Sequence, residues 1–140
     1  MEKQVDQGIH SDGNRNYTRV SEIWMDQEGI MHILFFKGFE LSLADMEEAH
    51  RLFGELGYGP GKNKSRQLLT GGPFTISKEA REYAGKNGKD YFYAAAMVSN
   101  SFLMRSVITI FNALQKHDVP FRIFASEAEA IGWLKTYPRK

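Results

Sequence analysis

Hydrophobic and polar positions divide the chain into strand-like and helix-like segments. Residues 30–36 form a β-branched and aromatic stretch of strand length, and residues 18–25 precede it across the turn D-Q-E-G. Two such stretches around a glycine-containing turn predict an antiparallel hairpin. Three more apolar stretches have strand length, at residues 66–70, 91–98 and 120–125. The pattern therefore predicts five strands.

Between these strands, apolar residues recur at steps of three and four, which is typical of amphipathic helices. Residues 43–56 follow Ser42, an N-cap residue with Asp45 three positions later, close to a capping box. The same periodicity assigns His50 to the solvated face of this helix. Three more helices are predicted, at residues 78–84, 102–114 and 127–137.

The predicted elements follow the order β-β-α-β-α-β-α-β-α. Because crossovers between parallel strands are right-handed, this order predicts an α/β fold with helices on the faces of one sheet. We expect a five-stranded, mostly parallel sheet with an antiparallel edge hairpin and about four helices. Residues 1–16 are polar and aperiodic, so we predict a flexible N-terminal tail followed by a single domain over residues 17–140.

The helix predicted at residues 102–114 is apolar almost all round, since nine of its thirteen residues are apolar. One face of a sheet covers only part of such a helix. We therefore predict that the remainder forms a homodimer contact. The residues assigned to this self-association surface are Phe102, Met104, Ile108 and Phe111. In the alternative interpretation, the same helix together with Phe74 and Phe92 lines a pocket for a small molecule or a lipid.

Composition restricts the classes of partner. The chain has 140 residues with a formal net charge of +1 and no cysteine. The near-neutral charge gives no electrostatic basis for binding nucleic acid, and the absence of cysteine excludes disulfides and thiol chemistry. No apolar run reaches the roughly 18 residues that a membrane span requires. We expect a cytoplasmic protein that has neither a nucleic-acid partner nor a membrane span.

Catalytic and cofactor motifs are not visible in the sequence. The glycine-rich loop at residues 57–65 lacks the first glycine and the Ser or Thr of a phosphate-binding loop, and it precedes a strand. No spacing assembles a catalytic triad, a carboxylate pair or a set of metal ligands. The sequence therefore predicts no cofactor, no metal and no enzymatic activity.

Four segments together resemble the small bacterial STAS/SEC14-like domains, a largely uncharacterised SpoIIAA-like family. They are D-Q-E-G-I-M-H at residues 26–32, S-K-E-A-R at 77–81, A-A-A-M-V-S-N-S at 94–101 and P-F-R-I-F-A-S-E-A-E-A-I-G-W-L-K at 120–135. The resemblance extends over about residues 20–137. It implies a STAS-like fold and a regulatory role.

STAS domains are partner-binding modules, and their sporulation members carry a phosphorylatable Ser in a D-S-[ST]-G turn after the third strand. This chain instead has T-G-G-P-F-T-I-S at residues 70–77, where Thr75 and Ser77 are the nearby hydroxyl residues. Ser77 is also positioned to cap the helix that follows. The family's phosphorylation motif is therefore not reproduced here.

The resemblance implies a non-catalytic STAS-like regulatory or protein-interaction module. Open α/β sheets present their binding crevice at the carboxyl ends of the strands. We therefore predict a partner or ligand surface there. Its residues are Thr70, Gly71, Gly72, Phe74, Thr75, Ser77, Asn100 and Arg105. The alternative function is a small-molecule or lipid-binding SEC14-like module.

Overall fold

The computed structural model describes residues 10–12, 14–99, 116 and 118–139. These parts of the chain contain nine strands: β1 (His10–Asp12), β2 (Arg15–Tyr17), β3 (Ser21–Met25), β4 (Ile30–Phe35), β5 (Glu40–Leu41), β6 (Ser65–Gly71), β7 (Thr75–Ile76), β8 (Phe92–Val98) and β9 (Phe121–Phe124). They also contain three α-helices: α1 (Leu43–Glu55), α2 (Lys78–Asn87) and α3 (Glu127–Leu134). A short 3-10 helix, Gly88–Asp90, connects α2 to β8.

Seven of the strands form one sheet in the order β1-β2-β3-β4-β6-β8-β9. The neighbours from β4 to β9 pair in parallel, whereas β1 to β4 pair in antiparallel fashion. Strands β5 and β7 form a separate, two-stranded parallel sheet. The predicted α/β fold with a mostly parallel sheet is confirmed.

The predicted number of strands was wrong. Strands β1 and β2 fall in the segment that the sequence assigned to a flexible tail, and they place the β3–β4 hairpin inside the sheet rather than at its edge. These two strands are short and polar. They are held by backbone hydrogen bonds to neighbouring strands, so their sequence shows no hydrophobic periodicity from which they could be predicted. The described residues contain three α-helices, and the helix predicted at residues 102–114 lies outside them, as do residues 1–9.

Helix α1 begins where the sequence predicted. The Ser42 side chain accepts a hydrogen bond from the backbone N–H of Asp45, and the Asp45 carboxylate accepts one from the backbone N–H of Ser42. This reciprocal capping box satisfies two of the donors that a helix N-terminus leaves unpaired. It also fixes the direction in which α1 leaves β5, and so sets the face that α1 turns toward the sheet.

Alternate residues of the strands face two different hydrophobic cores. Met31 and Ile33 of β4 pack in the core that includes Phe53 of α1 and Ala80 of α2. Ile30 of β4 points to the opposite face and joins a second core. That core also contains Leu68, Ala94, Ala96, Ala130 and Leu134. The sheet is therefore covered on one face by α1 and α2 and on the other by α3, as parallel strands require. Among the described residues, no helix combines the length and hydrophobicity needed to cross a membrane.

A buried arginine anchors the end of α3 to the rest of the sheet. The Arg66 guanidinium donates hydrogen bonds to the carbonyl oxygen of Tyr137, at 3.0 Å, and to that of Glu28. Lys135 forms an ion pair with the Glu28 carboxylate at 2.9 Å. These contacts connect the β3–β4 turn with the segment after α3, and so hold the second hydrophobic core closed.

Two glycines have a left-handed backbone conformation, and one of them lies where β4 and β6 are in close contact. Comparing the two tests how close that contact is. Gly71 has φ +88°, and a Cβ atom on it would overlap the carbonyl oxygen of Phe35. Gly38 has φ +75°, and a Cβ atom there would meet nothing within 4 Å. Gly71 therefore carries a steric constraint in addition to the conformational one.

We expect Gly38→Ala to lower the free energy of unfolding by about 1–2 kcal/mol, the cost of left-handed backbone for a residue with a Cβ. Gly71→Ala should cost about 3–5 kcal/mol, because backbone atoms must also move apart. Urea unfolding followed by circular dichroism measures both. Equal losses in the two variants would show that β4 and β6 are not in close contact at Gly71.

Candidate functional site

Four residues of the predicted partner surface, Gly72, Phe74, Thr75 and Ser77, lie on a loop that is joined to a second loop. Residues 36–42 and 72–77 follow the parallel strands β4 and β6, and we call them together the loop platform. Three backbone hydrogen bonds link the two loops, with N···O distances of 2.9–3.0 Å: Gly38 N–H to Pro73, Thr75 N–H to Phe39, and Ser77 N–H to Leu41. A fourth, from Gly72 N–H to Phe35 at 3.1 Å, joins the second loop to the end of β4. The loop platform is therefore a pre-formed surface at the carboxyl edge of the sheet.

Only part of the predicted surface faces solvent. Thr75 is exposed on β7, and Gly71 is exposed at the end of β6. Phe74 is 6% exposed, and its ring lies 4.4 Å from Phe35 and 5.2 Å from Phe39 between centroids. Phe74 therefore fastens the platform to the core instead of presenting an apolar contact.

The remaining residues of the predicted partner surface have a structural role, are half-buried, or lie outside the described residues. The Ser77 hydroxyl caps α2 by accepting a hydrogen bond from the backbone N–H of Ala80 at 3.1 Å. Thr70 and Gly72 are half-buried. Asn100 and Arg105 lie outside the described residues, and so do the residues predicted for self-association, which are Phe102, Met104, Ile108 and Phe111.

A cavity of about 80 Å³ lies between the sheet and helices α1 and α2, and the platform residues Leu41, Phe74 and Ile76 form part of its lining. Its described wall is mostly apolar and includes Ile33, Phe53, Leu69, Phe92 and Met97. Folded interiors are packed to nearly crystalline density, and voids larger than a water molecule are few. This cavity is therefore a distinctive feature of the fold and the best-formed candidate site in the described residues.

Gln67 of β6 places an amide on this apolar wall. Its side chain is buried, with the residue 3% exposed. Among the described residues, its one hydrogen-bond contact is from Nε2 to the Met31 sulfur at 3.9 Å. Thioether sulfur is a weak acceptor, so most of the hydrogen-bonding capacity of the amide remains open to a group inside the cavity.

His50 of α1 is the second polar group on the wall, and it is 5% exposed. Its Nδ1 atom lies 3.1 Å from the Tyr83 hydroxyl, and its ring stacks on Tyr91 with centroids 3.9 Å apart. Burial lowers the pKa of His50 to about 4, although the nearby Asp90 carboxylate acts in the opposite direction. The imidazole is therefore neutral at pH 7.

Asp45 also borders the cavity, but its charge is compensated. The Arg19 guanidinium contacts the two carboxylate oxygens at 3.1 and 2.5 Å, and Ser42 donates from its backbone and its hydroxyl. Burial raises the pKa of Asp45, and these hydrogen bonds outweigh that effect, so the pKa lies below its usual value. At neutral pH the cavity wall thus combines a neutral imidazole, a neutral amide and a paired carboxylate.

An Asp–His pair lies on the opposite face of the sheet. Nε2 of His32 is 2.8 Å from Oδ2 of Asp26, and the His32 ring stacks on Trp24. The other oxygen of Asp26 accepts hydrogen bonds from Glu28 N–H and Ile30 N–H. The pair therefore organises the β3–β4 turn. In the described parts of the chain, no group of three or more His, Asp or Glu side chains has the arrangement of a metal site.

The sequence interpretation missed both polar residues of the cavity wall. His50 was assigned to the solvated face of α1, but it lies four residues after Met46 and three before Phe53, within the apolar stripe. That spacing was the available signal. Gln67 has the same strand parity as Leu69, so alternation along β6 placed it on the inner face. For His50, polarity was taken as evidence of exposure, whereas Gln67 was included in a predicted strand without being assigned to either face.

Comparison with known proteins adds a family and a structural relative. Residues 23–138 match the family described as a domain of unknown function, DUF7793. The fold is similar to the crystal structure of an uncharacterized protein of the DUF3478 family, with a SpoIIAA-like fold, from Shewanella loihica PV-4. The two share 16% identity with a TM-score of 0.49, over 91% of this chain and 90% of that one.

The SpoIIAA-like fold named for that structure is the one to which the sequence resemblance pointed. The comparison with curated proteins found no match. The family match extends from the third residue of β3 to the segment after α3, and so includes the loop platform and all the described cavity-lining residues except Val20 and Ser21. Because most of its length is matched, the chain belongs to the DUF7793 family.

Proposed function

We propose that the protein is a non-catalytic module that binds a small, largely apolar molecule in the cavity between the sheet and α1. The volume of the cavity carries this proposal. A void of about 80 Å³ costs about 2 kcal/mol of stability, at roughly 24 cal/mol for each Å³. A ligand that fills the void recovers this free energy on binding, which makes the cavity a favourable place for an apolar group.

The size of the cavity limits the size of the ligand. Its volume of about 80 Å³ is about half that of an engineered cavity of about 150 Å³ that admits benzene or xenon. A compact molecule of a few heavy atoms, or one small ring that displaces flexible wall residues such as Met46 and Met97, matches this space. Methionine side chains adapt easily, since they are unbranched and have three rotatable bonds.

Two substitutions on the same helix test the binding site. Ala49 borders the cavity, whereas Ala44 is exposed on the outer side of α1. We expect Ala49→Leu to fill the cavity and weaken xenon binding at least about tenfold, while Ala44→Leu leaves binding unchanged. Xenon chemical shifts and methyl shifts of the wall residues measure binding.

The stability of the two variants provides the control for folding. Cavity filling commonly stabilises a protein by about 0.5–2 kcal/mol, so Ala49→Leu should unfold at the same or a higher urea concentration than the wild-type chain. Wild-type protein without xenon binding would refute the proposed function. Equal binding by wild-type and Ala49→Leu protein would place the xenon outside this cavity.

The titration of His50 tests whether the wall is neutral. An unfolded histidine has a pKa of about 6.5, and burial lowers that of His50 to about 4. The unfolded state binds more protons between these values, so His50 makes the folded state more stable as pH rises from about 4 to 6.5, and adds no dependence above that. The imidazole proton shifts should titrate near pH 4. A midpoint near 6.5 would mean that the ring is solvated.

A second candidate function is regulation through a protein partner that contacts the loop platform. The observation that favours it is the pre-formed backbone of the platform, which presents Thr75 beside Glu40. Rigid loops on a scaffold are common binding surfaces. Self-association through Phe102, Met104, Ile108 and Phe111 stays a prediction from the sequence.

We expect a partner of this surface to co-purify with the wild-type chain and to be lost with Thr75→Arg. Lys78→Glu, which changes an exposed residue of α2 outside the platform, should keep it. Affinity purification followed by mass spectrometry makes the comparison, and sedimentation velocity reports self-association in the same samples. Equal recovery of the partner with all three proteins would exclude Thr75 from the contact.

A further inference from the structure

The chemistry of the cavity wall constrains the ligand further than its volume does. Gln67 and His50 are both polar, and both are more than nine-tenths buried. A buried hydrogen-bonding group with no good partner costs about 1–3 kcal/mol of stability. Valine or leucine at position 67 would extend the apolar pattern of β6, which continues with Leu68 and Leu69. The amide of Gln67 is thus a local departure from that pattern, of the kind that marks functional positions.

Hydrogen bonds within the protein leave defined atoms available on the wall. The Gln67 amide contacts the Met31 sulfur at the long distance of 3.9 Å. On His50, Nδ1 is engaged by the Tyr83 hydroxyl, and Nε2 has no hydrogen bond to any of the described residues. Ser21, also on the wall, already pairs its hydroxyl with that of Thr18 at 2.8 Å. An incoming polar group therefore meets one amide and one ring nitrogen.

Charge on the wall excludes ionic ligands. The Asp45 carboxylate is occupied by Arg19 and Ser42, so it offers no counter-ion to an ammonium group. The His50 imidazole is neutral at pH 7, so it offers none to a carboxylate. A charged group in such surroundings would lose its hydration without compensation. The cavity therefore selects molecules without a net charge.

On the basis of the proposed binding function, we infer that the ligand is a compact, uncharged molecule that carries one hydrogen-bonding oxygen, a carbonyl or a hydroxyl, recognised by the Gln67 side-chain amide. Its apolar body occupies the space between Ile33, Phe53 and Met97. The neutral His50 ring forms part of the same polar spot. Small ligand sites generally have this arrangement, in which an apolar lining supplies affinity and a few polar groups fix orientation.

Cyclopentane and cyclopentanone provide a pair of probes with matched shape that differ by one carbonyl oxygen. Their hydration in water differs, so the informative quantity is the ratio of the two affinities, compared between wild-type protein and Gln67→Met. Methionine has nearly the length of glutamine and no amide. We expect the cyclopentanone-to-cyclopentane affinity ratio to fall about three- to tenfold in Gln67→Met, the range expected for one neutral hydrogen bond. Methyl shifts of wall residues report both affinities.

The control is Gln27→Met, the same chemical change at an exposed position of the β3–β4 turn, which should leave the ratio unchanged. A direct measurement on the wild-type chain does not depend on folding of the variants. The side-chain amide resonances of Gln67 should shift with saturating cyclopentanone and remain nearly unmoved with cyclopentane. Cyclopentylammonium, which has a similar ring and a positive charge, should not bind.

The outcomes separate this inference from the proposed function. If both neutral probes bind and the affinity ratio is the same in wild-type and Gln67→Met protein, the cavity binds ligands without recognition of the carbonyl oxygen by Gln67. That result overturns the inference. Binding of cyclopentylammonium as tight as that of cyclopentanone would also overturn it. If neither neutral probe binds the wild-type chain while xenon does, the site is limited to smaller apolar groups. Absence of xenon binding by the wild-type chain contradicts the proposed function itself.

Discussion

The close approach of β4 and β6 at their carboxyl ends is the constraint on which the rest of the structure depends. Gly71 lies against the carbonyl oxygen of Phe35 so closely that no side chain fits, and that oxygen accepts a hydrogen bond from Gly72. From this point the two outgoing loops are joined by backbone hydrogen bonds along their length. Two-residue strands such as β5 and β7 are not stable alone. The pairing of β4 with β6 aligns the backbones of the two loops, and this alignment stabilises the β5–β7 pair.

This junction determines where the helices begin. Ser42 follows β5 and caps α1, and Ser77 follows β7 and caps α2. The loop pairing therefore sets the positions of the two helix starts relative to each other and to the sheet. Phe74 packs against both Phe35 and Phe39, and it lines the cavity below the platform together with Phe35. The cavity therefore lies between α1, whose start is anchored by the platform, and the small residues of the central strands, among them Ala95.

Local sequence signals were sufficient for the elements that depend on neighbours along the chain. The β3–β4 hairpin, the capping box at Ser42 and the apolar β8 strand each follow from spacing within a few residues. Strand β2 and the β5–β7 pair did not follow, because their stability comes from hydrogen bonds to a distant partner and not from their side chains. For the candidate site, the partner surface at the carboxyl edge of the sheet stays a prediction, while Gln67 and His50 of the cavity wall were missed because burial of a polar residue depends on what packs above it.

Buried polar residues on an apolar cavity wall bear more directly on function than the exposed platform does. An exposed loop residue such as Thr75 has little effect on stability, so its identity is weakly constrained by folding alone. Gln67 and His50 are different, because leucine and phenylalanine at these positions would extend the apolar wall of the cavity and remove the weakly bonded amide. A sequence selected for stability alone favours those replacements. The amide and the neutral imidazole at these positions are therefore the observations on which the proposed binding site rests.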